Sequence, residues 1–529
     1  MLKLSHNPPA TPMTSPPRRF SRDEVRSHTT DSSLWCIIDS IVYDLTDFLP
    51  AHPGGESVLR QVAGQDATSA FYSLHRHEVL SPQQHGGRLA IGTVAGEEPQ
   101  VISPRPGDLS PVPYAEPLWL TTPFRSPYYA ASHHRLRRAA RDFAQRHIAP
   151  EALAAEASGA YISQGLIDRM EREGILRMRQ GPGPHLHGRE LFGGAVRGDD
   201  FDYFHFVVLA QEICRPVARG FQDGNMAGMS IGLSTLLHYA PEGAWRERVC
   251  DDVFAGRAKM CLAITEAFAG SDVSNIRTTA ERTPDGKYFV VNGTKKWITN
   301  GTWSDYFVTL VRTGKGFTVL LIPRVEGVET KPIKTSYSAS AGTAFVTFDS
   351  VKVPVENIVG EENKGMRVIL SNFNHERWGM ACTVVSQCRV VVEECLKWSN
   401  QRIVFGKRLV DQPVIRQKLA KMIALVEANQ SWLESITYQM CHLSYSEQAK
   451  HLAGPIGLLK MSCTRAAHDI ADESVQIWGG RGLTQSGMGR TIEHFHRTYK
   501  FDAILGGSEE VVADLGVRQA VKNFPKAML

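Results

Sequence analysis

The stretch Cys261-Leu-Ala-Ile-Thr-Glu-Ala-Phe-Ala-Gly-Ser-Asp-Val273, followed by Lys296-Trp-Ile-Thr-Asn-Gly301, decides how most of this 529-residue chain is read. Each piece runs from a short apolar segment into a turn and leaves polar or aromatic groups there: the hydroxyls of Thr265, Ser271 and Thr299, and the indole of Trp297. Either piece alone is compatible with an ordinary β-turn. Around them, from Met260 to Val353, lie further β-rich runs at 288–292, 305–311, 317–322 and 345–348. Gly, Asp and Pro turns separate these runs, as in Pro284-Asp285-Gly286. Outward on both sides the apolar spacing becomes three and four, which predicts helices from Tyr129 to about Phe254 and again from Lys364 to the end. No internal repeat and no GxGxxG loop interrupts this helical–β–helical order.

Lys plus Arg number 59 against 55 Asp plus Glu, a net charge of +4, and 42% of residues are hydrophobic. That balance excludes a disordered polyelectrolyte and gives no support for a nucleic-acid platform. No run of roughly 18 or more apolar residues exists, so no membrane span is expected. Nine cysteines are scattered without a CxxC and mostly in apolar surroundings, which predicts buried free thiols in a reducing compartment. The expected location is cytoplasmic. The alternatives are mitochondrial, from the basic start, and peroxisomal, from the terminal Lys526-Ala-Met-Leu529. Five prolines among the first 19 residues argue against the amphipathic helix of a mitochondrial address and predict a disordered tail.

A hydroxyl at a strand end can donate to a flavin ring or a phosphate, and Trp297 can shield the ring's far face. Taken together, the two quoted segments resemble the signature of the acyl-CoA dehydrogenase family. Further matches are Phe348–Asn357, Gly360–Gly365, Arg402–Lys407 and Gln476–Gly482. The resemblance spans nearly all of 118–529. It implies FAD contacts from Thr265, Ser271, Trp297, Thr299 and Ser508, and contacts to a neighbouring subunit's FAD from Arg402, Phe405, Gln476, Gly479 and Gly480. A homodimer or homotetramer follows from it, as does an acyl-CoA or other acyl thioester as substrate.

The family's commonest base is the Glu of a Tyr-Glu-Gly-Thr motif near the C-terminus. Here that motif reads Ile504-Leu-Gly-Gly-Ser-Glu-Glu510, which puts Gly506 at the Glu position. Either the enzyme is dead or the base has moved. A family branch carries its base on a helix just before an Arg, and Asn374-His375-Glu376-Arg377 stands in that place. By this resemblance Glu376 is the catalytic base. Ser271, Asn374 and Arg377 line the substrate path, and the backbone N–H of Gly506 polarises the thioester carbonyl. Glu509, Glu510 and His375 are alternative acid–base groups. Thr498 departs from the family's usual Arg-Asp pair after Arg497.

The first hundred residues hold a second signal, Val42-Tyr-Asp-Leu-Thr-Asp-Phe-Leu-Pro-Ala-His-Pro-Gly-Gly55. His52 sits on a turn stiffened by Pro53 and opened by glycines, and His75 ends a helical stretch. Two neutral imidazoles can fill both axial positions of one heme iron, which then carries electrons rather than binding oxygen. With Trp35 upstream and Gly64–Thr68 downstream, the block resembles cytochrome b5. The resemblance implies heme b held by His52 and His75, with His77 and His85 competing for the second role; the membrane anchor of that family is not expected here.

The expected fold is multidomain α+β: a small cytochrome b5-like heme domain, then the acyl-CoA dehydrogenase fold. The expected boundaries are a tail at 1–19, a heme domain at 20–95 and a flexible linker of about 22 residues at 96–117. An N-terminal helical domain at 118–258, a middle β-barrel or sheet domain at 259–363 and a C-terminal four-helix bundle at 364–529 follow. The expected activity is α,β-desaturation of an acyl thioester, with the attached heme or an external carrier as electron acceptor. A flavin oxidase resembling nitroalkane oxidase and a non-catalytic heme redox or scaffold protein are the rivals.

Overall fold

The computed structural model describes residues 18–80, 86–101, 105–522 and 524–525. The expected tail up to residue 17, the candidate His85 and the terminal tetrapeptide lie outside the described residues. Two compact units emerge. The first gathers residues up to Arg105 with Gln401–Leu409, and the second holds Pro106–Asn400 and Val410–Leu529.

The first unit is built on a five-stranded sheet ordered Arg19–Phe20, Ala90–Val94, Ile41–Asp44, Ser33–Ile38, Thr29–Thr30. Gly92 is required there, because a Cβ would stand 2.1 Å from the Arg18 carbonyl oxygen of the adjoining chain. Leu34, Cys36, Tyr43, Leu49 and Leu59 are buried beneath the short helices Glu56–Gln61 and Thr68–Leu74. Residues 100 and 101 are anchored to this unit: their backbone N–H groups donate to the two Asp39 carboxylate oxygens at 2.9 and 2.7 Å.

The second unit begins with helices from Ala131–Phe143 to Ala244–Phe254. One segment, Phe221–Ala227, is wound as a π-helix. An eight-stranded sheet follows, and its strands include the expected runs: Tyr288–Ile298, Tyr306–Thr313, Gly316–Pro323 and Ala344–Pro354. The short strand Met260–Ala263 pairs parallel with Tyr306–Thr313. Asp285 makes the predicted turn by accepting from the Lys287 N–H at 3.1 Å, with Gly286 at φ 73°. The chain closes with four long helices, Gly365–Gln401, Pro413–His442, Ala453–Trp478 and Glu509–Lys522.

The linker expectation is corrected over 106–117. This Pro-rich run is docked into the large unit. Glu116 is 4% exposed, and its carboxylate binds Arg141 at 2.5 and 2.8 Å. Ser110 donates to Glu393 at 2.8 Å. Of the nine cysteines, all free, eight are buried and Cys441 is exposed.

Candidate active site

Glu376 is carried by the 37-residue helix Gly365–Gln401. Its neighbours Asn374 and Arg377 are buried. The Arg377 Nε donates to the Gly506 carbonyl at 2.7 Å, and the Lys460 Nζ donates to the Gly507 carbonyl at 2.7 Å. Two cations thus pin the 506–507 turn to the helices. Gly506 has φ 66°, and a Cβ there would begin 3.6 Å from Glu376 Oε1. The carboxyl of Glu376 therefore reaches the space a side chain at 506 would enter. Its Oε2 is closed to solvent and has no hydrogen-bond partner. Burial raises its pKa to about 7, against the opposing pull of Arg377 and Lys460.

Among the alternatives, His375 packs against Trp378 and Phe206, and burial lowers its pKa to about 4. Glu509 lies 3.4 Å from Arg465 at a helix start and does not line the cavity that Glu376 lines; nor does Glu510, which is exposed.

That cavity runs between the helix of Glu376 and the segments around Arg179 and over 222–234. Its walls are chiefly apolar, with Phe206, Leu209, Ala210, Ile231 and Met380 among them. The π-helical segment supplies Gln222, Asp223 and Met226, in keeping with the tendency of such bulges to occur at functional sites. Thr299 lines the same cavity as Glu376.

Thr265 and the 296–299 segment are adjacent, since the Lys296 N–H donates to the Thr265 carbonyl at 2.8 Å. Beneath them lies a pair that the sequence reading missed. Lys295 is fully buried, and its Nζ binds Glu266 Oε1 at 2.9 Å and the Ile264 and Leu310 carbonyls at 2.9 and 2.7 Å. Burial lowers the Lys295 pKa to about 8 even with Glu266 beside it. Glu266 in turn accepts from the Arg277 and Thr278 N–H groups. This knot fixes the strand ends that present Thr265, Trp297 and Thr299. Breaking a buried pair leaves an uncompensated charge, so Lys295→Met is expected to cost about 3–5 kcal/mol and to release flavin, measured by denaturation and by FAD content.

Trp297 is held at φ 66°, an uncommon conformation for a bulky side chain, and its indole is 52% exposed. An exposed indole held in this way, with hydroxyls on the neighbouring turns, is a donor and stacking set that fits FAD. Ser271 is exposed in the loop after Met260–Ala263. Ser508 immediately precedes the helix Glu509–Lys522, and its carbonyl accepts from the Val512 N–H at 3.0 Å. The remaining candidates are not among the residues that line the cavity. Phe405 is 95% exposed on the hairpin that follows Arg402. Gln476, Gly479 and Gly480 are exposed where the helix Ala453–Trp478 ends.

In the first unit, the rings of His52 and His75 face each other with centres 6.0 Å apart. An iron bound at about 2 Å by the Nε2 of each ring requires roughly that spacing. The Nδ1 of His52 lies 3.0 Å from the Gly55 carbonyl oxygen, and that of His75 lies 3.2 Å from the Phe71 carbonyl oxygen. Each Nδ1–H is thereby occupied, which leaves Nε2 as the ligand atom. Burial lowers the His75 pKa and favours the neutral ring that ligation needs. Gly54 has no Cβ, and one would press within 2.8 Å of the His52 ring. His77 instead directs Nδ1 to the Tyr72 hydroxyl at 2.8 Å. These two rings fit a heme.

The fold and these sites define a flavin-dependent oxidoreductase with a heme module. Comparison with known proteins names the family. Residues 130–256, 261–351 and 363–521 match the N-terminal, middle and C-terminal domains of acyl-CoA dehydrogenase. Residues 21–95 match the cytochrome b5-like heme/steroid binding domain. An acyl-CoA dehydrogenase of Emericella nidulans is 36% identical over 428 residues, 79% of this chain and 97% of the relative. The mouse mitochondrial very long-chain specific acyl-CoA dehydrogenase is 31% identical over 299 residues, 54% of this chain and 44% of that protein. The fold is shared with butyryl-CoA dehydrogenase from Megasphaera elsdenii: TM-score 0.63, 23% identity, 74% of this chain and 99% of that one. The chain belongs to the acyl-CoA dehydrogenase family, is an oxidoreductase, and has FAD and heme as its cofactors.

The Glu376 environment sets a pH dependence. With Glu376 as the base proposed below, the carboxylate form is the active one, so flavin reduction is expected to rise with pH through about 7 and then level off. Stability runs the other way. With its pKa raised, the folded state holds the Glu376 proton more tightly than the unfolded chain does. The contribution of Glu376 is therefore full below about 4.5 and is lost as pH climbs through about 7. Glu376→Gln should remove on the order of 2 kcal/mol of the decline between about pH 5.5 and 8.5, read by chemical denaturation without substrate.

Proposed function

We propose that this protein desaturates an acyl thioester between Cα and Cβ, with Glu376 taking the α-proton. The observation that carries this reading is the presence on one apolar cavity of a carboxyl without a hydrogen-bond partner, Glu376, and of Thr299, which belongs to the flavin-binding segment. Bound FAD supplies the two-electron acceptor for the β-hydride. Thr265, Ser271, Thr299 and Ser508 hold FAD, and Trp297 covers it. The Gly506 backbone N–H polarises the thioester carbonyl and increases the acidity of the α-proton. Asn374 and Arg377 order the path to the thioester, and Arg377 also holds the 506–507 turn in place.

His52 and His75 would hold a heme between them, and that group would supply one-electron transfer. The fused module thus offers the reduced enzyme a built-in acceptor. Arg402, Phe405, Gln476, Gly479 and Gly480 complete a flavin site in a second copy of the chain, which makes the working form a homo-oligomer.

The test is anaerobic. A panel of acyl-CoAs is added to the holoenzyme, and the flavin and heme absorptions are followed together. Bleaching of flavin followed by reduction of heme is expected. Flavin that no thioester bleaches would overturn desaturation. Bleached flavin beside heme that stays oxidised would overturn internal transfer, and peroxide formed on admitting air without another acceptor would mark an oxidase.

A further inference from the structure

The cavity contains a cation that the desaturation chemistry does not use. Arg179 is 2% exposed and lines the cavity. Its Nη1 donates to the Asn225 carbonyl at 2.8 Å, but its Nε and Nη2 have no partner. Gln180, 7% exposed and also on the cavity, has neither its Oε1 nor its Nε2 hydrogen-bonded. Gly181 lets this loop approach the helix of Glu376: at φ 80°, its Cβ would stand 3.0 Å from the His375 Nε2.

Among the described residues no acid forms an ion pair with Arg179. Asp223 and Asp502 line the cavity, but both are bound to Arg219, at 2.6 Å and at 2.5–2.7 Å. Glu376 sits between the influences of Arg377 and Lys460. A buried, unpaired guanidinium is costly unless an anion reaches it. The cost shows in its pKa, which burial pulls down to about 10.

The geometry of the open edge names the anion. Nε and Nη2 together form the side of a guanidinium that grips both oxygens of a carboxylate. Among the described residues, Arg60 on Asp31, Arg22 on Glu97, Arg141 on Glu212 and Arg282 on Glu362 use that same edge on a carboxylate. An apolar wall, one carboxylate-gripping edge and one free carboxamide describe an acyl group that is largely hydrocarbon and carries an anion of its own.

We infer that the preferred acyl group carries a second carboxylate distal to the thioester, so that the substrate is a monothioester of a dicarboxylic acid, received by Arg179 with Gln180 beside it. This rests on the desaturation reading and narrows its substrate class.

The test compares matched CoA esters, ω-carboxyacyl against unsubstituted acyl, over short, medium and long chains, by anaerobic flavin bleaching of the holoenzyme. At its best length the ω-carboxy ester is expected to show at least about tenfold higher kcat/KM. Arg179→Met should lower that preference by about tenfold or more, which abolishes it, and Arg179→Lys should restore only a small part of it. Unsubstituted esters that react faster at every length would overturn the inference, as would an Arg179→Met change that slows both series equally.

Arg179→Met should melt no lower than the wild type, because it removes an unpaired buried charge. A marked drop in melting temperature or loss of FAD would make Arg179 a structural or cofactor-binding residue and overturn the inference. Gln180→Leu provides a second variant, expected to weaken the ω-carboxy preference alone. If no ester of either series bleaches the flavin, desaturation itself fails. The carboxylate preference is then decided by the flavin absorption shift on titrating the same paired esters into wild type and Arg179→Met.

Discussion

Glu376→Gln is expected to lower the rate of flavin bleaching by acyl-CoA about a thousandfold or more, while the thioester still binds. The amide is nearly isosteric with the carboxyl and cannot accept the α-proton. Oε2 has no hydrogen-bond partner to lose, so the exchange disturbs the chemistry far more than the packing. Stopped-flow bleaching measures the loss, and the absorption shift of oxidised flavin on adding ligand shows that binding survives. Glu509→Gln is the control. That carboxylate lies beside Arg465 and off the cavity, and its replacement should leave bleaching in place. Equal bleaching by Glu376→Gln and wild type would remove Glu376 from the reaction and assign the α-proton to another group.

The second large effect concerns the heme. Either His52→Ala or His75→Ala is expected to abolish the two-histidine heme spectrum, because each ring supplies half of the 6.0 Å frame. His77→Ala should retain that spectrum, since its Nδ1 is directed to the Tyr72 hydroxyl. Purified protein is assayed for heme content and spectrum, then mixed anaerobically with an acyl-CoA. In His75→Ala, flavin bleaching should persist while the heme signal is gone, which separates the two halves of the proposal. Loss of the spectrum in His77→Ala, with His75→Ala unaffected, would reassign the second ligand.

How much of this was legible in sequence follows from what kind of information each residue carries. The helical–β–helical order lay in local periodicity, and the strands at 288–298 and 306–313 appear where alternation and turn residues placed them. Glu376 was legible because its motif is contiguous with Arg377. Its proximity to Gly506 came from the family resemblance alone, since local pattern does not carry a contact with a turn some 130 positions away that Arg377 and Lys460 clamp. Lys295 in a β run reads as a solvent-facing charge until its partners at 264, 266 and 310 fold around it. The run 106–117 looks extended because proline makes it so. Its docking depends on Arg141, an ion pair that composition cannot display. Arg179 and Gln180 follow a short helix where polar residues ordinarily face water, and only the cavity shows that these two do not.

Gly506 has a consequence for how this protein changes over generations. A side chain there must take a left-handed backbone at φ 66° and begin 3.1 Å from the Met380 sulfur and 3.6 Å from the Glu376 carboxyl. A single substitution at 506 therefore meets an occupied space, and, with Glu376 as the proposed base, a single loss at 376 leaves no base. On that proposal the two arrangements of the carboxylate are separated by a valley that one-step mutation does not cross. Descendants of this chain are then expected to vary together at 376, 380 and 506 or not at all.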